Sequence, residues 1–295
     1  MRLVSYEAGG AWRAGVVRGE ALVALEAPVG PAASSGLAGL LQVEGALERA
    51  LEDATGEGLP LAHARLGPPI THPGKIVCIG LNYGSHVAEQ GAEPPATPTF
   101  FAKFRNSLAP PGAEVPLPPA SEKVDYEAEV AFVIGRRCRD VDEADALSHL
   151  AGYMLFNDLS ARDLQFATPQ WLPGKVFDGS APCGPWLVTP DEAGAHDAIE
   201  IELTLNGERM QSASTSDLVH SVPALTSHLS RLMTLEPGDV VSTGTPAGVG
   251  SLREPKRWLK AGDEVVVSSP TLGRLETRIG APGRLSAPFV DDLAR

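Results

Sequence analysis

Glu127 and Glu129 stand two residues apart in the stretch Asp125-Tyr126-Glu127-Ala128-Glu129-Val130-Ala131-Phe132-Val133-Ile134-Gly135. The β-branched and aromatic residues after the acidic start predict a strand over 125–135, in which alternate side chains share a face. Two carboxylates on one face repel unless water solvates both or a cation lies between them. An isolated pair of this kind is most often a wet strand edge. Here the strand runs on into an apolar segment that predicts burial. A third carboxylate, Asp158, follows in Phe156-Asn157-Asp158-Leu159-Ser160-Ala161-Arg162-Asp163. Three carboxylates converging on one point suit a hard divalent cation such as Mg²⁺ or Mn²⁺.

A second constellation precedes the first. In Asn82-Tyr83-Gly84-Ser85-His86-Val87-Ala88-Glu89-Gln90-Gly91, a single helical turn places His86 and Glu89 at i and i+3, within contact. A carboxylate beside an imidazole fixes its tautomer and raises its basicity, as a general base for water requires. The same spacing also describes a surface ion pair. Lys103 and Arg105, followed by Asn106 and Ser107, could bind an anionic substrate or serve as counter-charges to the acidic strand. Lys175 is the only cation of the loop 169–179, whose flanking glycine and prolines suggest a held conformation. The alternative is one solvated lysine. The run Ser242-Thr243-Gly244-Thr245-Pro246-Ala247-Gly248-Val249-Gly250 is dense in small residues, so its backbone N–H groups and the Thr245 hydroxyl could approach an anion. It lacks the P-loop order and could equally be a plain tight loop.

The elements that must carry these residues are mostly short strands. Residues 1–70 read as a small N-terminal domain: strands at 2–6, 12–17 and 21–25, then a helix over 35–54 with an apolar stripe from Leu37 to Leu51. Residues 71–295 read as a catalytic domain with strands at 75–80, 99–104, 125–135, 151–156, 185–189, 199–205 and 239–242. A hairpin turns at Asn206-Gly207, and a helix spans 220–232. A Leu-x-x-Gly-Asp-x-Val pattern occurs at both 235–241 and 259–265, read as recurring turn chemistry and not as a repeat architecture. A net charge of -13 argues against nucleic-acid and anionic-membrane partners, which need a basic face. A small anionic substrate remains compatible with a local cluster of cations and metal. The three cysteines, Cys78, Cys138 and Cys183, form no C-x-x-C pair and read as reduced thiols. No apolar run reaches membrane-helix length, so a soluble cytoplasmic protein is expected.

Singly these motifs are weak; their order is specific. Asn82-Tyr83-x-x-His86-x-x-Glu89, Glu127-x-Glu129, Asn157-Asp158-x-Ser160-Ala161-Arg162-Asp163-x-Gln165, Gly174-Lys175-x-x-Asp178 and Thr243-Gly244-Thr245-Pro246-x-Gly248-Val249-Gly250 together resemble the fumarylacetoacetate hydrolase superfamily over about residues 72–280. The likeness extends to its bacterial acylpyruvase and 2-keto-4-pentenoate hydratase-like branch. Residues 1–70 resemble the short N-terminal domain of bacterial members. The resemblance implies a mixed α+β, predominantly β fold, with a mixed β-roll catalytic domain. It implies Mg²⁺ or Mn²⁺ on Glu127, Glu129 and Asp158, and a water-activating His86–Glu89 dyad on a mobile lid. Lys175 falls at the active-site lysine, and Tyr83, Arg162, Gln165 and Thr245 fall at substrate-binding positions. A homodimer is implied as well. Lys103-Phe104 departs from the Lys-Pro of many members, and 166–171 follow one branch without naming its substrate.

The activity so implied is metal-dependent hydrolysis of a C–C bond in a 2,4-dioxo acid, giving a 2-oxo acid such as pyruvate and a carboxylic acid. Oxaloacetate decarboxylation or tautomerisation, and 2-oxo-4-enoate hydration or isomerisation, would use the same enolate. A catalytically idle binding protein is a remote alternative, since no ligand or base of the pattern is missing.

Overall fold

The computed structural model describes residues 1–26 and 35–283. Its centre is the strand Ala128–Ile134, fully buried along its length. Alternation sorts its side chains into two cores. Val130, Phe132 and Ile134 join one apolar cluster, with Leu203, Val265, Val267 and Leu275 of a second sheet and Leu225 and Leu229 of the helix Val222–Leu232. Ala131 and Val133 join the other, with Leu37, Leu40, Met154 and Phe156. Burial on both faces explains why this segment reads as a continuous apolar run instead of an alternating one.

The larger sheet has eleven strands among the described residues. Its path runs from Leu59–Pro60 through Ala21–Leu25, Ala11–Arg18, Arg2–Ala8, Ala181–Val188, Leu150–Asn157, Ala128–Ile134, Val240–Ser242 and Ile76–Gly80 to Thr99–Lys103, with Leu108–Ala109 beside Ala181–Val188. Most pairings are antiparallel, but Val240–Ser242 runs parallel to Ile76–Gly80. The second sheet orders Glu208–Ser214, Glu200–Leu205, Glu264–Ser269, Gly273–Gly280 and Glu114–Pro116. The fold is thus mixed α+β and strand-rich. The N-terminal strand Arg2–Ala8 pairs through Arg2 and Leu3 with Val188 and Leu187, so residues 1–25 continue the sheet that carries the central strand. No helix among the described residues is long and apolar enough to cross a membrane.

Two expectations are corrected. The helix over 35–54 is two helices, Leu37–Leu41 and Ala46–Asp53. Gly45 between them has φ 66°, a left-handed conformation that a glycine adopts freely and a continuing helix cannot contain. The strand over 125–135 is also interrupted. Val124–Asp125 pairs with Ser160–Ala161 in a separate two-stranded ribbon, and Ala128–Ile134 resumes in the large sheet. At the break the backbone N–H groups go to side chains: Tyr126 to Asp125 Oδ1 (2.9 Å), Glu127 to Asn157 Oδ1 (3.1 Å) and Ala128 to Gln211 Oε1 (2.9 Å). Buried donors must be satisfied somewhere. Here side chains, one from the neighbouring residue and two from remote ones, replace the ladder, and the strand breaks where the first metal-ligand candidate lies.

The Leu-x-x-Gly-Asp-x-Val segments are both tight turns. Gly238 and Gly262 have φ 89° and 91°, and Asp239 and Asp263 accept N–H bonds from Glu236 (2.7 Å) and Lys260 (2.8 Å).

Candidate metal centre and adjoining cavity

Glu127, Glu129 and Asp158 come together at the end of the central strand, all buried, with one oxygen of each lying within 4.8 Å of the others. The Asp158 N–H donates to the Glu127 carbonyl (2.9 Å), which sets the two side by side. Glu129 Oε2 accepts from the Gly244 N–H (3.1 Å) and, in a short contact, from the Ser242 hydroxyl. The small-residue loop therefore holds a carboxylate of this chain.

Three cations surround the cluster. Lys175 Nζ lies 2.7 Å from Glu127 Oε2 and 2.8 Å from Asp158 Oδ2, and 4.9 Å from the Phe101 ring centroid. Lys103 Nζ, fully buried, donates to Asp158 Oδ1 (2.6 Å) and to the Lys175 carbonyl. It thus pairs with the acidic cluster, as the counter-charge alternative expects. The Arg162 guanidinium meets Glu127 Oε1 (2.7 Å), Asp125 Oδ2 (2.9 Å) and Gln165 Oε1 (3.0 Å).

Burial alone would raise Glu127, but Arg162 and Lys175 outweigh it and hold the carboxyl down at about 2. Burial would lower Lys175, yet Asp158 and Glu127 keep it raised and charged. Glu129 behaves oppositely: burial, then the charges of Asp158 and Glu127, push it well above the usual carboxylate range. The cause is visible in the charge count. Four buried carboxylates (Asp125, Glu127, Glu129, Asp158) face three buried cations (Lys103, Arg162, Lys175), and Glu129 has no cation of its own in hydrogen-bond contact among the described residues. A buried, all-oxygen donor set with uncompensated negative charge fits a divalent cation.

His86, on the helix Gly84–Glu89, is buried with Nδ1 3.2 Å from Glu89 Oε2. Glu89 Oε1 in turn accepts the Gly248 N–H (2.9 Å). The His86 Nε2 lies 2.7 Å from the Gln90 side-chain nitrogen. The pair is therefore not a loose surface contact, and its other end is anchored to the small-residue loop. His86 and Arg162 both line a cavity of about 440 Å³. Because Arg162 also touches Glu127, this cavity adjoins the carboxylate cluster.

The remaining anticipated residues, Tyr83, Gln165 and Thr245, are buried and do not line the cavity. Tyr83 is completely inaccessible beside Thr243, and burial raises its phenol. Gln165 engages Arg162. The Thr245 hydroxyl donates to the Ala128 carbonyl (3.0 Å) and accepts from Gln211 (2.9 Å). Two further supporting residues escaped the sequence reading. Asp125 binds Arg162 and accepts from the N–H groups of Gly250 (2.7 Å) and Ser251 (3.0 Å). Its place at the head of the acidic stretch was the available signal. Gln211 lies in a polar strand segment and offered none.

Comparison with known proteins agrees with this architecture. Residues 75–280 match the family model described as fumarylacetoacetate (FAA) hydrolase C-terminal. Oxaloacetate tautomerase FAHD2B, mitochondrial, of Bos taurus is 41% identical over 223 residues, 75% of this chain and 71% of that protein. Among solved structures, fumarylacetoacetate hydrolase from Exiguobacterium antarcticum superposes with TM-score 0.77 at 32% identity, covering 95% of this chain and 99% of its own. The 2-hydroxyhepta-2,4-diene-1,7-dioate isomerase from Mycobacterium marinum gives TM-score 0.75 at 32% identity, covering 96% and 100%. With seven-tenths of its length inside the family model and the acidic triad buried at the strand end, the chain belongs to the fumarylacetoacetate hydrolase family.

Proposed function

We propose that the protein is a divalent-metal-dependent tautomerase or isomerase of 2-oxo acids, moving a proton through an enol or enolate. The observation that carries this reading is the placement of His86 in the wall of a cavity shared with Arg162, next to the buried carboxylate cluster. A cation on Glu127, Glu129 and Asp158, Mg²⁺ or Mn²⁺ by the donor chemistry, would supply Lewis-acid stabilisation of enolate charge. Lys175 remains an ammonium and adds positive field at the same carboxylates. Glu89 fixes the Nδ1 side of His86, leaving Nε2 to accept and return a proton. The Gln90 amide nitrogen lies 2.7 Å from that nitrogen, so it moves aside before His86 takes a proton from either substrate or water. The tautomerase and isomerase names of relatives support the proton-transfer reading.

C–C hydrolysis of a 2,4-dioxo acid is the second reading, favoured by the His86–Glu89 pair itself, which matches a water-activating dyad once Gln90 moves aside. The deciding experiment follows enol–keto exchange of oxaloacetate in the ultraviolet, with acetylpyruvate cleavage and CO₂ release measured in parallel, each with Mg²⁺, Mn²⁺ or EDTA. Metal-dependent exchange without comparable cleavage or CO₂ release is expected. Dominant acetylpyruvate cleavage would move the assignment to hydrolase. His86→Asn should slow proton transfer by about a hundredfold or more and leave Mn²⁺ affinity unchanged; loss of metal instead would contradict the role given to His86. A homodimer in the cytoplasm completes the proposal. Support for the dimer comes from the terminal sheet strand Thr99–Lys103, where Phe100 is 40% exposed, and from the adjoining Phe104, 52% exposed.

A further inference from the structure

One residue of the cavity wall enters the chemistry above only as an obstacle. Gln90 is exposed, lines the same cavity as His86 and Arg162, and sets its amide nitrogen 2.7 Å from His86 Nε2. The contact follows from helical spacing, since Glu89 at i+3 and Gln90 at i+4 can both reach the imidazole of His86. Glu89 takes the Nδ1 proton, which leaves Nε2 with its lone pair. The amide N–H is the donor that suits such a nitrogen. A base whose lone pair is engaged in this way accepts no other proton, so in this conformation His86 is masked.

Of the two partners, Gln90 is the one able to move. The imidazole is buried and held at its other nitrogen by Glu89, whose second oxygen accepts the Gly248 N–H (2.9 Å). The backbone around Gln90 is closed as well. The N–H groups of Gln90, Gly91 and Ala92 bond to the carbonyls of His86 (3.1 Å), Ala88 (3.0 Å) and Val87 (3.1 Å), and Gly91 has φ 64°. A left-handed glycine with bonds of this pattern ends a helix firmly. The Gln90 side chain is another matter: His86 is its one hydrogen-bond partner among the described residues. It can change rotamer without disturbing the helix.

We propose that Gln90 gates the base. Its amide covers His86 Nε2 until an anionic oxygen of a ligand in the cavity draws it away, so that binding itself unmasks the lone pair. The direction of the transfer follows from acceptor strength, because a hydrogen bond to a charged oxygen is about twice as strong as one between neutral groups. Gln90 is then a ligand-contacting residue as well as a cover, and His86 is available when there is a substrate to serve. The mask rests on the geometry alone; the identity of the ligand rests on the 2-oxo acid reading above.

The test has two arms. Ethoxyformylation by diethyl pyrocarbonate, read by peptide mass spectrometry, reports the accessible lone pair of each histidine. Gln90→Met keeps the length of the side chain and removes its donor. His86 should react about fivefold faster in the variant, the factor that one net hydrogen bond gives, while the remaining histidines keep their rates and so report an intact fold. Gln90→Ala, a strong helix former, repeats the comparison should the methionine variant misfold. In the second arm, calorimetry on the Mg²⁺-loaded protein measures pyruvate. It should bind about fivefold more weakly to Gln90→Met, since the bond lost to a charged acceptor is stronger than the one lost to His86. Equal His86 reactivity in the wild type and both variants would overturn the mask. Pyruvate affinity that is unchanged or higher in the variant would overturn the transfer. If His86 is unmasked by the substitution while pyruvate binds neither protein, the mask stands and it is the 2-oxo acid reading that falls.

Discussion

At the residue scale the site is a charge-balance problem, and its two most informative members are Lys103 and Glu129. Lys103 binds Asp158 with both side chains fully buried. Removing one partner of such a pair leaves an uncompensated buried charge, at a cost of about 3–5 kcal/mol. Lys103→Met should therefore lower the urea stability of the metal-free protein by that amount. A loss below about 1 kcal/mol would mean that Lys175 alone suffices for Asp158. Glu129 carries the opposite sign. Its folded pKa is raised, so the bound proton stabilises the metal-free fold at low pH, and this contribution fades as pH rises through the raised value. A divalent cation must displace that proton. Metal uptake below the raised pKa should then release a proton, read as a binding enthalpy that changes with the ionisation enthalpy of the buffer. A buffer-independent enthalpy would show Glu129 already ionised. The Glu127–Glu129 and His86–Glu89 pairings were legible in the sequence because their spacing is local. Lys175 was given its role only by the family resemblance, its partners Glu127 and Asp158 being 48 and 17 residues away. Whether Lys103 faced substrate or the acidic cluster was not legible, because the answer depends on Asp158, which is 55 residues away.

At the element scale the site is built where regular structure stops. The reading of one strand over 125–135 failed at 126–128 because three N–H groups leave the ladder for Asp125, Asn157 and Gln211. Asp125 is the neighbouring residue, but local pattern contains no trace of the long-range partners Asn157 and Gln211. Gln211 is the most economical of them: one amide accepts from Ala128 and donates to Thr245 and Pro246. Gln211→Leu preserves bulk but orphans a buried N–H beside the metal ligands, a loss of about 1–3 kcal/mol. It should weaken Mn²⁺ binding as well, since Ala128 lies between Glu127 and Glu129. Unchanged Mn²⁺ affinity in a destabilised variant would show that the anchor serves the fold alone. Gly248 closes the same corner from the other side, with φ 103° and space for no Cβ, which would lie 2.2 Å from the Met210 carbonyl. The hairpin at Asn206-Gly207 was legible for the converse reason: both residues have positive φ, and the two-residue turn sets the pairing of Leu205 with Glu208 and Thr204 with Arg209, beyond which the register shifts by one residue.

At the scale of the whole molecule, the N-terminal segment bears on how the site is supported. Sequence composition divides the chain near residue 70, and the family model begins at residue 75. Hydrogen bonding runs across that division. Arg2–Ala8 lies next to Ala181–Val188, which neighbours Leu150–Asn157, the strand that ends one residue before Asp158. Leu3, Trp12, Leu37 and Leu40 share an apolar cluster with Ala131, Val133, Met154 and Phe156. Separating the two parts would expose side chains on the very face of the central strand that ends in Glu129. Burial of that kind, at about 25 cal/mol per Å², couples the two parts more strongly than the short linker between them could. The protein should accordingly unfold in one calorimetric transition, with van't Hoff and calorimetric enthalpies equal. Saturating Mn²⁺ should shift that single transition upward as a unit. Two resolved transitions, of which only the upper responds to Mn²⁺, would instead establish residues 1–70 as an independently folding domain.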